Sequence, residues 1–149
     1  MMKKLFLPLA VFSVMASCSG NDDEVQTNNA SIIGKWYIDK AEKYTSGNKK
    51  TEIKIFSECE KKGTHEFREK NMTSTTFAPE NNNCVQTDVV TRIYTFDPVS
   101  KKFWYEDEKD FPYTISQLTQ TSMVLEDHLE DIDGDGIKDV VKFYFKRIQ

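Results

Sequence analysis

The alternation of apolar and polar side chains constrains the fold of this chain more than any other feature. It is clearest in the last segment, where two sets of residues alternate: Val141, Phe143 and Phe145 against Lys142, Tyr144 and Lys146. Successive side chains of a β-strand point to opposite faces of a sheet, whereas a helix repeats its apolar face every three to four residues. The period of two therefore predicts strands with one buried face.

About eight segments of this kind follow one another, spaced roughly 8 to 14 residues apart. They are residues 34–38, 64–69, 72–77, 89–96, 102–106, 113–118, 122–129 and 139–147. A helix is expected only briefly, near residues 57–62 or just before Gly34. In a chain of 149 residues, consecutive strands with short connections favour one all-β domain, an eight-stranded antiparallel up-and-down barrel. Such a barrel encloses packed side chains or one small ligand.

Residues 1–17 have the pattern of a secretory signal. Lys3 and Lys4 precede a mostly apolar run, residues 5–16, which is too short to span a bilayer. At the end of this run, Met15-Ala16-Ser17-Cys18 resembles the processing box of bacterial lipoproteins. The resemblance implies cleavage before Cys18, acylation of Cys18 and anchoring in the outer membrane. The alternative is an ordinary cleaved signal followed by an incidental cysteine.

Residues 18–30 are polar and acidic, and they predict a flexible tether to a domain that spans residues 31–149. Within the tether, Asp22-Asp23-Glu24 resembles the acidic export signal of surface lipoproteins in Bacteroidota. The resemblance implies display at the cell surface. The alternative is a plain hydrophilic spacer at the periplasmic face.

The charge of the chain argues against a nucleic-acid partner. The formal net charge is −4, and the longest basic runs are lysine pairs such as Lys49-Lys50. Binding to phosphates needs clustered lysine and arginine side chains. The sequence therefore predicts no nucleic-acid partner. Contact with a membrane is expected through the lipid on Cys18, and the protein partner is unknown.

Two cysteines, Cys59 and Cys84, remain after Cys18. Outside the cytoplasm such a pair suggests a disulfide. Closing a loop of about 26 residues would stabilise the fold by roughly 3.5 kcal/mol in the chain-entropy model. Two free buried thiols are the alternative. A zinc site is disfavoured, because the chain has only two histidines to join them.

The first strand contains Gly34-Lys35-Trp36, which resembles the G-x-W signature of lipocalins. Arg147 stands near the end of the last strand, where lipocalins place an arginine across the tryptophan ring. With the two mid-chain cysteines and Ile115-Ser116-Gln117-Leu118-Thr119, residues 32–149 resemble the lipocalin-like domain of Bacteroidota lipoproteins, a calycin-like β-barrel. The resemblance implies that Trp36 and Arg147 close one end of the barrel through a cation–π contact worth about 0.5–2 kcal/mol.

The same resemblance implies a small apolar or amphipathic ligand inside the barrel. The alternative is a filled barrel that acts as a non-enzymatic interaction or accessory module at the cell surface. Nine aromatic residues suit such an interior: Trp36, Phe67, Tyr94, Phe96, Phe103, Trp104, Tyr113, Phe143 and Phe145.

The stretch D-I-D-G-D-G-I-K-D, residues 131–139, forms the tip of the last predicted hairpin. One Asp-Gly pair suits a tight turn, but four carboxylates within nine residues repel one another. The stretch resembles the D-x-D-x-D-G-x-x-D loops of integrin-type propellers. That resemblance implies a structural calcium ion bound by four side chains and one backbone carbonyl: Asp131, Asp133, Asp135, Asp139 and the carbonyl of Ile137. A bare acidic turn is the alternative.

No catalytic motif is evident in the sequence. His65 lies in a charged segment and is expected on the solvent face of its strand, and His128 alternates with Glu126 and Glu130 on a polar face. Neither histidine sits in a recognisable catalytic motif. The sequence therefore predicts a protein that is not an enzyme.

Overall fold

The computed structural model describes residues 30–128 and 130–149. The predicted signal, Cys18 and all of the predicted tether except Ala30 lie outside these residues. Within them, no helix has the length and apolar character needed to cross a bilayer.

The described residues form nine strands and one short 3₁₀ helix. The strands are β1 (Gly34–Thr45), β2 (Lys50–Ile55), β3 (Thr64–Phe67), β4 (Asn71–Glu80), β5 (Asn83–Asp97), β6 (Lys102–Tyr105), β7 (Tyr113–Leu118), β8 (Ser122–Asp127) and β9 (Val140–Arg147). The 3₁₀ helix, Glu60–Lys62, falls inside the segment where a brief helix is predicted.

All neighbouring strands are antiparallel, and pairing between β1 and β9 closes the sheet on itself. The second edge of β1 pairs with β3 near its start and with β2 near its end. Strands β2 and β3 therefore share one position in the wall, and the barrel has eight positions built from nine strands. The predicted eight-stranded antiparallel barrel is confirmed, whereas β2 is absent from the predicted segments.

One part of the wall lacks strand pairing. β2 pairs only with β1, and β4 pairs with β3 only as far as Thr75, so β2 and the end of β4 are not hydrogen-bonded to each other. Residues 57–63 lie in this region, which we call the seam. The Cys59–Cys84 disulfide, with a Cα–Cα distance of 5.4 Å, ties the seam to β5.

Aromatic side chains pack the closed half of the barrel. Phe67 makes edge contacts with Tyr94 and Phe103 at ring-centroid distances of 5.4 and 5.7 Å. The expected interior position of Trp104 is wrong: Trp104 pairs with Thr95, and strand alternation places it opposite its core neighbours Phe103 and Tyr105. Tyr105 takes the inward position instead.

The closed end is organised around Trp36, which is fully buried. The Cζ atom of Arg147 lies 4.0 Å from the centre of the Trp36 ring. The same guanidinium donates hydrogen bonds to the carbonyls of Ser31 and Ile33, while the indole N–H of Trp36 donates to the carbonyl of Ile32 at 2.9 Å. The segment before β1 is thereby fastened across the end of the barrel.

Glycine at position 34 follows from this arrangement. Its φ of +137° belongs to the region that favours glycine, and a Cβ built there would lie 2.1 Å from Nη1 of Arg147. Gly34, Trp36 and Arg147 therefore form one packing unit, which explains why glycine precedes tryptophan in this strand.

Candidate ligand cavity and metal site

The barrel interior contains a pocket of about 180 Å³ above the closed end. We call this pocket the inner lobe. Its lining comes from six strands and is mostly aromatic: Ile38, His65, Phe67, Phe103, Tyr105, Tyr113, Leu125, Phe143 and Phe145. Of the predicted interior aromatics, Phe67, Phe103, Tyr113, Phe143 and Phe145 face this space.

A second pocket of about 230 Å³ lies beside it at the seam, and we call it the outer lobe. Its lining is more polar: Ile38, Phe56, Glu60, Gly63, His65, Thr75, Thr76 and Phe77. The two lobes share Ile38 and His65. These two side chains therefore lie between the apolar interior and the seam.

His65 lies inside the barrel, so its expected position on the solvent face is wrong. In the sheet it pairs with Trp36 on β1 and with Ser74 on β4, and directly paired residues point to the same face. Its ring makes an edge contact with Phe145 at 5.3 Å, and Nδ1 lies 3.3 Å from Oγ of Ser74. Burial lowers the pKa of His65 to about 4, so the imidazole is neutral at pH 7.

Two tyrosines complete the polar part of the inner lobe. Burial raises the pKa of Tyr105 and also that of Tyr113, so both phenols stay protonated at neutral pH. Arg92 lies over Tyr105, with Cζ 3.8 Å from the ring centre, and forms ion pairs with Asp107 and Glu108. The Arg92 guanidinium is therefore paired with carboxylates at the edge of the barrel. The side chains that line the inner lobe carry no net charge at pH 7.

A wider concavity lies elsewhere on the described residues. It measures about 760 Å³ and runs along the closed end, between residues 30–33 and β5. It is open to solvent, and its lining mixes exposed Ile33 and Ile93 with charged Glu69, Lys70 and Glu106. Its shape and mixed lining fit a small apolar ligand less well than the inner lobe does.

The aspartate loop joins β8 to β9 and packs on the turn between β1 and β2. The backbone N–H of Ser46 donates to Asp139 at 2.8 Å, and the hydroxyl of Ser46 donates to Asp135 at 2.9 Å. The backbone N–H of Gly47 donates to Asp133 at 3.0 Å. The loop is therefore fixed to a turn about 90 residues away in the chain.

Backbone amides inside the loop offset much of the repulsion between its carboxylates. Asp131 accepts hydrogen bonds from the N–H groups of Gly134, Asp135 and Gly136 at 2.7, 3.1 and 2.8 Å. The positive φ angles of both glycines, +77° and +87°, let the chain curl around the Asp131 carboxylate. These charge-assisted hydrogen bonds hold the loop compact around Asp131.

Asp139 is the most buried member of the loop, with 2% of its surface exposed. Burial alone would raise the pKa of its carboxyl, but backbone N–H donors from Ser46, Ile132 and Asp133 and the Ser46 hydroxyl outweigh it. The pKa of Asp139 is therefore held below its usual range. Among the described residues, no cationic side chain lies within ion-pair distance of Asp139, so its buried charge is held by neutral donors.

Three of the four aspartates predicted as metal ligands come together. One carboxylate oxygen from each of Asp131, Asp133 and Asp139 lies within 4.8 Å of the others, so this group could hold a metal ion. Asp135 is not part of the group and bonds to Ser46 and Ile137 instead. The predicted ligand carbonyl of Ile137 belongs to a residue that is 61% exposed.

The two histidines lie in different surroundings. His128 is 46% exposed in its side chain, and its Nε2 lies 3.3 Å from Glu126 on the surface. His65 is enclosed by aromatic and hydroxyl side chains of the barrel. Neither histidine lies in the aspartate group.

Comparison with known proteins gives one family match. The model of the lipocalin-like domain family matches residues 32–125, more than half of the chain. Among solved structures, a deswapped triple mutant of bovine odorant binding protein matches with a TM-score of 0.39 and 12% sequence identity, over 77% of this chain and 72% of that one. A likeness at that level carries no argument about function. No curated protein matches the chain.

Acid should destabilise the fold through His65. As the pH falls below the usual histidine pKa of 6.5, the unfolded chain takes up the proton first, because the folded pKa is about 4. The contribution of neutral His65 to the free energy of unfolding is therefore fully present above about pH 6.5 and declines toward pH 4. The free energy of unfolding should fall by about 2 kcal/mol between pH 7.5 and pH 5. In His65→Phe, urea unfolding should show a smaller decrease in the free energy of unfolding over the same pH range. The exposed control His128→Phe should retain the wild-type loss, and equal losses in all three proteins would contradict this account.

Proposed function

The chain belongs to the lipocalin-like domain family, and we propose that it binds one small apolar or amphipathic molecule inside its barrel. The observation that carries the proposal is the inner lobe, an apolar space with a few fixed polar groups, bordered by His65. Ligand sites in proteins have this character: apolar walls give affinity, and a small number of polar atoms fix orientation.

The dimensions of the pocket limit the ligand. A cavity of about 150 Å³ lined by aliphatic and aromatic side chains is large enough for benzene, whereas drug-sized ligands occupy roughly 300–1,000 Å³. The inner lobe, at about 180 Å³, suits a single ring or a short branched chain. The outer lobe gives room for a polar substituent that extends toward the seam.

A binding role without catalysis accords with the family and with the surroundings of the histidines. A neutral imidazole beside Ser74, with no described acid to orient it, lacks the arrangement of a nucleophile–base pair. The alternative role, a filled barrel that acts as an interaction module, would leave the inner lobe too small for any ring. Ligand titration distinguishes the two.

We also propose that the protein is anchored in the outer membrane through acylated Cys18 and displayed at the cell surface on the residue 18–30 tether. The support is the order of the sequence patterns: the signal of residues 1–17, the cysteine, then the acidic cluster at residues 22–24. Retention of a Cys18→Ser variant in the membrane fraction, at the wild-type level, would exclude the anchor.

Calcium is the ion that we propose for the aspartate group. The donors are all oxygens, which hard cations prefer, and oxygens 4.8 Å or less apart are compatible with Ca–O distances of 2.3–2.6 Å. In the proposal Asp131, Asp133 and Asp139 are joined by Asp135 and the carbonyl of Ile137. The ion would be structural, because the loop it stiffens already contacts Ser46 and Gly47 on the neighbouring turn.

Ligand binding is tested with toluene, a single ring without polar groups. Titration followed by methyl NMR should shift the resonances of Ile38 and Leu125 in the wild type, because both side chains line the inner lobe. Ile38→Phe adds volume where the two lobes meet and should weaken toluene binding by about tenfold or more, which corresponds to about 1.4 kcal/mol.

The matched control is Ile53→Phe, the same substitution at a side chain that is 60% exposed and lines neither lobe. It should bind toluene as the wild type does. An absence of toluene-induced shifts in the wild type would favour the filled barrel and refute the proposed function.

Calcium binding should raise the melting temperature. With a millimolar dissociation constant, about 10 mM calcium should add about 1.4 kcal/mol, or about 5 °C, relative to chelator. Asp133→Asn keeps the shape of the side chain and should lose more than half of this gain. Asp110→Asn, at an exposed aspartate in a different loop, should retain it. Identical wild-type melting in chelator and in calcium would remove the proposed site.

A further inference from the structure

The inner lobe combines an apolar body with three polar side chains, those of His65, Tyr105 and Tyr113. Nδ1 of His65 contacts Ser74, while no described residue hydrogen-bonds to Nε2. The hydroxyls of Tyr105 and Tyr113 likewise have no hydrogen bond to any residue that the structure describes. Three groups that can each form a hydrogen bond therefore line one small space.

All three side chains border the pocket. Within the described residues, the fully occluded side-chain atoms that lack a partner are Oδ1 of Asn71 and Nε of Arg147, and both lie away from the inner lobe. Nε2 of His65 is not one of them, so this atom is not fully occluded. A hydrogen-bonding atom on an apolar wall gains more from a ligand partner than the same atom in bulk water.

The electrostatics of the lobe select against charge. Burial keeps His65 unprotonated and both tyrosines protonated at neutral pH, and the nearest guanidinium, that of Arg92, is paired with Asp107 and Glu108. An anionic ligand would lose its hydration without meeting an unpaired cation, and it would lie near the carboxylates of Glu108 and Asp127, which act on Tyr113. An anionic occupant is therefore disfavoured relative to a neutral one.

The shape of the lobe selects a ring. Six of its nine lining residues are phenylalanine or tyrosine, and the volume of about 180 Å³ is close to that of a benzene-binding cavity. Aromatic walls make edge-to-face and offset contacts that favour a planar occupant over a flexible chain.

We propose that the inner lobe selects neutral single-ring aromatic alcohols, with the ligand hydroxyl hydrogen-bonded to Nε2 of His65. A hydroxyl group suits this position because it both donates and accepts, so it matches either tautomer of a neutral imidazole. The inference rests on the proposed function, since it names the class of molecule that the barrel holds and the residue that distinguishes it from a plain hydrocarbon.

The test compares three probes of the same ring size: p-cresol, toluene and p-toluate. Calorimetric or NMR titration should show that p-cresol binds the wild type and that p-toluate, which is charged, binds at least about tenfold more weakly. His65→Phe should weaken p-cresol binding by about 5- to 10-fold, the value of one hydrogen bond, and change toluene binding by less than about twofold. His128→Phe is the matched control and should bind all three probes as the wild type does.

The outcomes separate this inference from the function on which it rests. If toluene and p-cresol both bind and His65→Phe weakens neither selectively, the role of His65 is refuted and a binding protein remains. If neither probe binds the wild type, both the inference and the proposed function are refuted.

A measurement on the wild-type protein avoids dependence on the folding of His65→Phe. The chain has two histidines, so a His128→Gln sample assigns the imidazole ¹⁵N resonances of His65. Addition of p-cresol should shift the Nε2 resonance, and saturating toluene should shift it much less. Equal shifts with both probes, or none with bound p-cresol, would overturn the proposal.

Discussion

The contact of Arg147 with Trp36 is the constraint on which the rest of this barrel depends. It joins the end of β9 to the start of β1, and its two hydrogen bonds to backbone carbonyls hold the preceding segment across the closed end. The indole fills the interior at this end, and the inner lobe lies further along the axis. Closure of the sheet and the position of the inner lobe therefore have the same origin.

The wall above the closed end is held by different means. Where β2 and β4 do not pair, residues 57–63 and the Cys59–Cys84 disulfide link the neighbouring strands, and the outer lobe lies beneath them. At the far end the aspartate loop packs on the β1–β2 turn through amide and hydroxyl donors. In our proposals the ligand occupies the barrel interior beside the seam, and calcium stiffens the aspartate loop.

Period-two alternation predicted the strands whose apolar face is buried, such as β9, and the order of motifs predicted the closed end. It missed β2, because Ile53 and Ile55 of that strand face solvent and nothing in the strand is buried. His65 was misplaced because its neighbours are charged, although it stands two residues before Phe67 and so shares its face. The contacts of Ser46 and Gly47 with the aspartates join distant parts of the chain, which local patterns do not reveal.

The central claim is that the guanidinium of Arg147 occupies the place where a side chain at position 34 would lie. A double-mutant cycle on unfolding free energies measures this directly. Gly34→Ala should cost about 2–4 kcal/mol in the wild type, through backbone strain and the clash with Arg147. In an Arg147→Ala background the cost should fall by about 1–3 kcal/mol, because only the backbone strain remains. The same cost in both backgrounds would contradict the claim.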